Sequence, residues 1–161
     1  MIEFHICGRS QLSKTMKKVG ATHVLSLTDM DKRPFLRPGF DPANWLWLKF
    51  EDVLFDGEQD APTKLHVALI LEWGLKLPED AVVVVHCEAG VSRSTAAVLA
   101  MMVDRSPDDI AGCVAKLLEI RPQACPNPLI TRFADELIGC GGKLHEAAEK
   151  VANEKLFKFL R

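Results

Sequence analysis

The sequence lacks both an excess of charge and any long apolar run. Its 161 residues include 20 lysine and arginine side chains against 22 aspartate and glutamate side chains, for a formal net charge of -2. Without a net positive field, the chain has no general attraction for nucleic acid or for an anionic membrane surface. The longest near-continuous apolar stretches, such as residues 81–85, are far too short to span a bilayer. Neither nucleic acid nor a membrane is therefore expected as a partner.

A recognisable signal peptide is also lacking. The first residues, MIEFHICGR, contain no basic region followed by a long apolar segment. A cytoplasmic location is therefore the default expectation. In that reducing compartment the cysteine side chains are expected to be thiols.

Cysteine is present, but its spacing is not that of a disulfide framework or a zinc knuckle. The five cysteines are Cys7, Cys87, Cys113, Cys125 and Cys140, an odd number without a CxxC pair. No metal and no other cofactor is expected on this basis. Each cysteine is by default a small buried hydrophobe, and only Cys87 has neighbours that change this expectation.

Strand and helix patterns alternate early in the chain, and helices fill its second half. The patterns predict strands at 3–7, 23–27, 45–50 and 81–85, and helices at 11–19, 63–77, 94–103, 106–121, 128–138 and 143–161. The unbroken β-branched run in the fourth strand is typical of a central strand covered on both faces. We therefore predict an α/β fold with a central, mostly parallel sheet of about four to five strands flanked by helices. Residues 1–161 are expected to form one domain, with 143–161 as an additional C-terminal helix.

Several helix ends and faces are also predicted from these patterns. Ser10 is expected to cap the first helix, and Ser106 is expected to begin the fourth. The second helix is expected to bury Leu65, Leu69 and Trp73, which share one face at helical spacing.

One segment joins the buried fourth strand to a helix that is apolar nearly all round. Residues 86–94 read His-Cys-Glu-Ala-Gly-Val-Ser-Arg-Ser. In α/β sheets, ligands gather outside the carboxyl ends of the strands. A short strand-to-helix loop at that edge directs successive backbone N–H groups inward, and the first turn of the helix adds a partial positive charge. The segment is therefore expected to form a nest for a tetrahedral oxyanion.

Three residues of this loop suit the chemistry of a bound phosphoryl group. The positive surroundings favour the thiolate form of Cys87, which makes its sulfur a nucleophile. Arg93 supplies a planar fork that matches two phosphate oxygens and the charge of the transition state. Gly90 permits a positive φ angle and a close approach of the backbone to the ligand. The alternative interpretation of Cys87 is a buried core thiol in a tight turn, which the spacing of Gly90 and Arg93 from it disfavours.

The motif HCxxGxxRS at 86–94 resembles the signature of the cysteine-based protein tyrosine phosphatase superfamily. Given its size and the segment ACPNP at 124–128, the chain is most similar to the compact dual-specificity branch and its small bacterial relatives. The resemblance implies that His86 orients the loop and that Ser94 donates a hydrogen bond to the sulfur of Cys87. The alternative for His86 is a buried histidine whose hydrogen bonds are made within the protein. The alternative for Ser94 is a serine in the first turn of a helix with no role in the site. The resemblance also implies that phosphate, sulfate or vanadate binds the loop formed by Glu88, Ala89, Gly90, Val91, Ser92 and Arg93.

A second functional group is expected in the acidic loop at 51–60, because expelling an alcohol or phenol needs a proton. The resemblance places this acid after the third strand, where Asp52 is the expected residue and Asp56 is the alternative. Asp60 is expected to cap the following helix instead. The acid would protonate the leaving group and then activate water, in a double displacement through a phosphocysteine that needs no metal.

Two absences bear on the substrate. The loop interior at 88–92 has no lysine and no additional arginine, whereas relatives that act on phosphoinositides tend to carry basic residues there. The chain has no tyrosine, and so it lacks the recognition-loop tyrosine that deepens the pocket of the larger tyrosine-specific enzymes. We therefore expect a phosphorylated protein or peptide as substrate. Its phosphotyrosine is the expected target, and a shallower pocket would also admit phosphoserine and phosphothreonine.

Other functions stay open at this point. One is a phosphatase of a non-protein phosphoester, either a phosphoinositide or an RNA 5′-phosphate. Another is a phospho-binding pseudophosphatase, which the simultaneous presence of Cys87, Arg93 and a candidate acid disfavours. A third is a different cysteine enzyme with a Cys-x5-Arg loop, such as a sulfurtransferase or an arsenate reductase. The HCxxGxxRS pattern and the position of Cys87 disfavour this third alternative.

Overall fold

The computed structural model describes residues 1–160 and contains a four-stranded sheet in which every strand pair is parallel. The strands are β1 (Glu3–Gly8), β2 (His23–Thr28), β3 (Trp45–Lys49) and β4 (Val82–Cys87). Their order in the sheet is β1-β4-β2-β3. Strand β4 therefore lies inside the sheet, between β1 and β2. The predicted α/β fold with a central parallel sheet is confirmed.

Six α-helices flank this sheet. They are α1 (Leu12–Val19), α2 (Lys64–Leu75), α3 (Arg93–Arg105), α4 (Ile110–Ile120), α5 (Pro128–Ile138) and α6 (Lys143–Phe159). Short 3-10 turns precede α1 and β3, at Arg9–Gln11 and Pro42–Asn44. The predicted order of strands and helices is confirmed. Arg161, which the sequence prediction included in the last helix, lies outside the described residues.

Strand β4 is covered on both faces because both sets of its side chains are apolar. Val83 and Val85 belong to the larger core, which also includes residues of α2, α3 and α5. Val84 belongs to a smaller core on the other face, together with Leu12 and Met16 of α1. Since all three valines are fully buried, the end of β4 is held firmly at the centre of the molecule.

Two predicted helix starts are wrong. Ser10 lies in the 3-10 turn, and the N-cap position of α1 is Gln11, which makes no side-chain capping hydrogen bond. Ser106 closes α3, which runs to Arg105 and is longer than predicted, and Asp109 caps α4 instead. In both cases the preceding element extends beyond its predicted end and displaces the start of the next helix.

The predicted cap of α2 is also wrong. Thr63 caps this helix in a reciprocal arrangement, in which its hydroxyl accepts from the His66 amide and the His66 ring accepts from the Thr63 amide. Asp60 has a φ of 56° and instead closes the preceding loop, because its carbonyl accepts from the Glu51 amide at 2.7 Å. This hydrogen bond joins the first and last residues of the acidic loop at 51–60.

Helix α2 buries a different face from the predicted one. Leu65 and Leu69 are exposed, at 68% and 36%, and Trp73 is only partly buried, whereas Val67, Ile70 and Leu71 are buried. The helix is apolar nearly all round, so its periodicity does not select a face. Packing against α3 and α5 selects it instead.

The first half of α6 packs on the domain, and its end does not. Leu144, Ala148 and Val151 are buried, whereas Phe157 and Phe159 are exposed. Helix α6 packs against α5 and α4. In the part of the chain that the structure describes, no helix is both long and apolar enough to cross a membrane.

Candidate functional site

The segment 86–94 lies where β4 ends and α3 begins, at the carboxyl edge of the sheet. Gly8, at the end of β1, is the strand partner of Cys87. Asp29 follows β2 directly, and Phe50 follows β3. Because parallel strands end at the same edge, side chains that follow all four strands can meet around the loop.

The sulfur of Cys87 is buried among hydrogen-bond donors. Cys87 is 2% exposed, and its Sγ lies 3.2 Å from Ser94 Oγ and 3.2 Å from the Gly90 amide nitrogen. The amide can only donate to the sulfur, and the hydroxyl can do so as well. Both contacts fix the position of the sulfur within the loop. The structure thus brings together Cys87, Gly90 and Ser94, as the sequence analysis expected.

Gly90 makes the tight turn of the loop possible. Its φ is +68°, a conformation that other L-residues rarely adopt. A Cβ built at this position would lie 2.4 Å from the carbonyl carbon of Cys7 and 2.6 Å from the amide nitrogen of Gly8. Any side chain here would push the loop off the end of β1.

The carbonyl oxygens of residues 88–92 all accept hydrogen bonds from groups outside the loop. The donors are the Arg9 amide to Glu88 (3.1 Å), Arg121 Nη2 to Ala89 (3.3 Å), Arg121 Nε to Gly90 (2.8 Å), the Cys125 amide to Val91 (2.9 Å) and the Asn127 amide to Ser92 (3.2 Å). In a planar trans peptide, the carbonyl and the following N–H point in opposite directions. Carbonyls held on the outside therefore leave the following amides directed into the loop, as the nest requires.

The guanidinium of Arg93 is buried and held from two sides. Arg93 is 2% exposed; Nη2 donates to Asp29 Oδ1 at 2.7 Å, and Nη1 donates to the Phe50 carbonyl at 2.7 Å. Its Nε has no hydrogen-bond partner within the protein. This nitrogen is therefore free to donate a hydrogen bond to a bound acceptor.

Sequence reasoning missed three residues that build this site. The residues are Asp29, Arg121, which ends the fourth predicted helix, and Asn127, which lies in the segment ACPNP, and the sequence assigns none of them a role in the site. Their role depends on contacts with residues far away in the sequence, and no local pattern indicates those contacts. The only sequence signal for Asp29 is that it follows a strand at the ligand-binding edge of the sheet.

His86 lies behind Cys87 on the opposite face of β4, fully buried. Its Nε2 lies 2.7 Å from Ser26 Oγ, and its Nδ1 lies 3.4 Å from the Cys87 carbonyl oxygen. Burial lowers the pKa of His86 from its ordinary value to about 4, so the ring is neutral near pH 7. The ring is thus placed to orient the start of the loop.

Of the two candidate acids, the structure brings only Asp52 to the loop. Asp52 Oδ1 accepts from Ser92 Oγ at 2.7 Å and from Asn127 Nδ2 at 2.8 Å. Asp56 instead pairs with Arg132 of α5, at 3.1 Å, and is exposed to solvent. The carboxylate of Asp52 therefore lies at the rim of the nest, and that of Asp56 is held away from it.

Glu88 does not neutralise the nest. Its carboxylate accepts from Arg9 Nε at 2.9 Å, and both side chains are partly exposed. In residues 1–160, no group of three or more His, Cys, Asp or Glu side chains is placed to hold a metal ion.

The side chains of Cys7 and Cys87 lie in different cores. Cys7 packs with Leu12 and Met16 on one face of the sheet, whereas Cys87 belongs to the larger core on the other. Burial also raises the pKa of Cys7, which favours an inert thiol. The interpretation of Cys7 as a buried thiol therefore fits the structure better.

The chain is similar to known phosphatases in part of its sequence and in its fold. No family profile matches the chain. A segment of 50 residues, 31% of this chain, is 40% identical to dual specificity protein phosphatase 19 of Mus musculus and covers 23% of that protein. The structure is similar to that of the PTP-2 phosphatase of Cydia pomonella, with a TM-score of 0.66 and 19% identity over 83% of this chain and 84% of that one. Human DUSP28 gives a TM-score of 0.62 and 17% identity over 84% of this chain and 88% of the other.

The fold of this chain is therefore similar to the fold of these phosphatases. The predicted resemblance to the cysteine-based phosphatases of the compact dual-specificity type is confirmed.

Proposed function

We propose that the protein is a cysteine-dependent phosphatase that acts on phosphoproteins through a phosphocysteine intermediate. The observation that carries the proposal is that one loop holds the sulfur of Cys87, the Gly90 amide that donates to it, and the buried guanidinium of Arg93 with its Nε unpartnered. A tetrahedral dianion supplies acceptors for both the guanidinium and the amides. Phosphate, sulfate and vanadate are the simple ions expected to bind there.

In the first step, Cys87 Sγ attacks phosphorus and the bond between phosphorus and the leaving oxygen breaks. The thiolate supplies the electron pair of the new S–P bond, and the leaving oxygen takes a proton from Asp52. Hydrogen bonds from Ser92 and Asn127 fix Oδ1 of this carboxyl group, so Oδ2 is the oxygen available to carry the proton. Arg93 and the amides stabilise the charge on the equatorial oxygens throughout.

In the second step, water attacks the phosphocysteine and Asp52 accepts its proton. The S–P bond breaks, the electron pair returns to sulfur, and inorganic phosphate leaves. Ser94 Oγ, 3.2 Å from the sulfur, stabilises the departing thiolate by donating a hydrogen bond.

We propose a phosphorylated protein or peptide as the substrate, with phosphotyrosine as one target and phosphoserine and phosphothreonine as others. Two features support this choice over a phosphoinositide: the loop interior carries no lysine, and the Arg9 side chain is paired with Glu88. The absence of tyrosine supports a shallow entrance that also admits phosphoserine and phosphothreonine. A cytoplasmic location stays a prediction from the sequence.

The test is turnover of para-nitrophenyl phosphate by the wild-type chain, Cys87→Ser and Arg93→Lys. We expect activity in the wild type, none above background in Cys87→Ser, and a loss of about 10³-fold or more in Arg93→Lys. Alkylation of Cys87 by iodoacetate should be slowed by vanadate. An inactive wild-type chain that still binds phosphopeptide would indicate a pseudophosphatase.

The substrate class needs a separate comparison. Phosphotyrosine, phosphoserine and phosphothreonine peptides, RNA 5′-triphosphate and phosphoinositides would be offered to the same preparation, and phosphate release would be compared as kcat/KM. A preference for a phosphoinositide or for RNA would contradict the proposed substrate while leaving the phosphocysteine chemistry in place.

A further inference from the structure

A chain of hydrogen bonds runs beneath the sheet edge from β3 to Cys87. Trp45 Nε1 donates to Ser26 Oγ at 3.0 Å, and Ser26 Oγ lies 2.7 Å from His86 Nε2. On the other side of the ring, His86 Nδ1 lies 3.4 Å from the Cys87 carbonyl oxygen. Ser26 and His86 are both fully buried, so bulk water cannot replace these partners.

The direction of these hydrogen bonds follows from what each group can do. An indole N–H can only donate, so the hydroxyl proton of Ser26 cannot go to Trp45. Of the two groups bonded to Ser26 Oγ, only His86 Nε2 can accept it. A neutral imidazole that accepts at Nε2 carries its own proton on Nδ1. That nitrogen is the one that faces the Cys87 carbonyl.

The neighbouring tryptophan provides an internal comparison. Trp47 Nε1 donates to Thr28 Oγ1 at 2.8 Å, and Thr28 Oγ1 donates to the Lys32 carbonyl at 3.4 Å. The rings of Trp45 and Trp47 are stacked, with centroids 5.7 Å apart and planes at 3°. In both arrangements a tryptophan N–H donates to a hydroxyl on β2. They differ in the acceptor of the hydroxyl proton, which is the Lys32 carbonyl for Thr28 and the His86 ring for Ser26.

We propose that Ser26, oriented by Trp45, is a positioning residue that keeps His86 in its Nδ1–H tautomer. The Nδ1–H then donates to the Cys87 carbonyl. This hydrogen bond reduces the effect of the partial negative charge of the carbonyl oxygen on the nearby sulfur, and it thereby favours the thiolate. The charged groups that face His86 are Arg9, Glu88 and Arg93, and none of them can impose a tautomer on the neutral ring. The consequence for catalysis rests on the proposed phosphatase function, whereas the tautomer does not.

The tautomer can be measured directly by long-range 1H–15N NMR of the imidazole rings, with His86→Asn used to assign the signals. At pH 7 the wild type should show His86 as a neutral Nδ1–H tautomer. Ser26→Ala should shift the population towards Nε2–H. Trp45→Phe should give a mixture, because it frees Ser26 Oγ to accept from the ring, and Trp47→Phe is the matched control and should leave the wild-type tautomer unchanged.

The effect on the sulfur is measured as the rate of Cys87 alkylation by iodoacetate against pH, with the modified peptide quantified by mass spectrometry. We expect the midpoint of this profile to rise by about 0.5 to 1 pH unit in Ser26→Ala, by less in Trp45→Phe, and not at all in Trp47→Phe. Ser26→Thr, which keeps a hydroxyl, should retain the wild-type profile.

The possible outcomes separate this inference from the proposed function. A cationic or Nε2–H His86 in the wild type would overturn the inference, whatever the fate of the variants. Equal tautomer populations in Trp45→Phe and Trp47→Phe would also overturn it, even if Ser26→Ala did not fold. An inactive wild type with the expected tautomer would instead refute the phosphatase function alone.

Discussion

Arg93 Nη2 and Asp29 Oδ1 lie 2.7 Å apart, in an ion pair that joins the first residue of α3 to the residue after β2. The two side chains are 3% and 23% exposed, so the ion pair is largely shielded from water. Since Nη1 is bound to the Phe50 carbonyl, the guanidinium is oriented before any anion arrives. This preorganisation leaves Nε free to donate to an anion and lowers the entropy lost on binding.

Asp29→Asn should weaken this orientation without removing the side chain. We expect kcat/KM for para-nitrophenyl phosphate to fall about 10-fold, with a weaker inhibition by vanadate, because the neutral amide holds Nη2 less firmly. Asp31→Asn is the matched control, since Asp31 is highly exposed and its ion pair with Lys32 is long, at 3.6 Å. Equal losses in both variants would contradict a specific role for Asp29.

Asp52→Asn should separate the general acid from its alternative. We expect kcat for phenyl phosphate, which has a poor leaving group, to fall by roughly 10²- to 10⁴-fold. The loss should be smaller for a substrate whose leaving group departs without a proton. Asp56→Asn, which alters only the contact with Arg132, should keep kcat within about 2-fold. A near-wild-type kcat in Asp52→Asn would show that another group donates the proton.

Gly90→Ala should abolish anion binding by displacing the loop. The new Cβ would lie 2.4 Å from backbone atoms of Cys7, in addition to the strain of a positive φ, so the amides could no longer converge. Gly20→Ala is the control, because Gly20 has the same φ of +68° but nothing within 4 Å of the new Cβ. That variant should lose only about 1 to 2 kcal/mol of stability and keep its activity. Vanadate protection of Cys87 in Gly90→Ala would refute the expected collapse.

The buried neutral state of His86 should make the stability of the fold fall in mild acid. The pKa of this ring is about 4 in the folded protein, below its ordinary value of 6.5. Between those values the unfolded chain binds a proton that the folded chain does not, so stability is lost as the pH falls from 6.5 to about 4. The loss should reach about 3 kcal/mol across the window.

Urea unfolding of the wild type and of His86→Asn at several pH values between 7 and about 4 provides the measurement. The free energy of unfolding should decline more steeply in the wild type than in the variant, which lacks the titrating ring. His23 and His66, whose pKa values burial also lowers, contribute equally to both proteins. Parallel curves would refute this assignment to His86.

Features that depend on one short segment could be predicted from the sequence. The β-branched run of β4, the apolar helix behind it and the spacing of Cys87, Gly90 and Arg93 specified a buried strand–loop–helix unit with an anion nest. Helix α5 has the predicted bounds, and it ends where Gly139 adopts the left-handed conformation. Local backbone preferences determine these features, and those preferences are written in consecutive residues.

Contacts between distant segments were decided by the tertiary structure. The face that α2 buries, the contact of Arg121 with the loop carbonyls, and the pairing of Asp29 with Arg93 all depend on which elements become neighbours. The strand order β1-β4-β2-β3 sets β2 beside β4. This brings Ser26 next to His86, and Asp29 next to Arg93. Sequence periodicity gives each strand its faces but carries no information about which strands pair. By itself, the sequence thus determined the loop between β4 and α3 and the residues that it carries, whereas long-range strand pairing selected the residues that contact it.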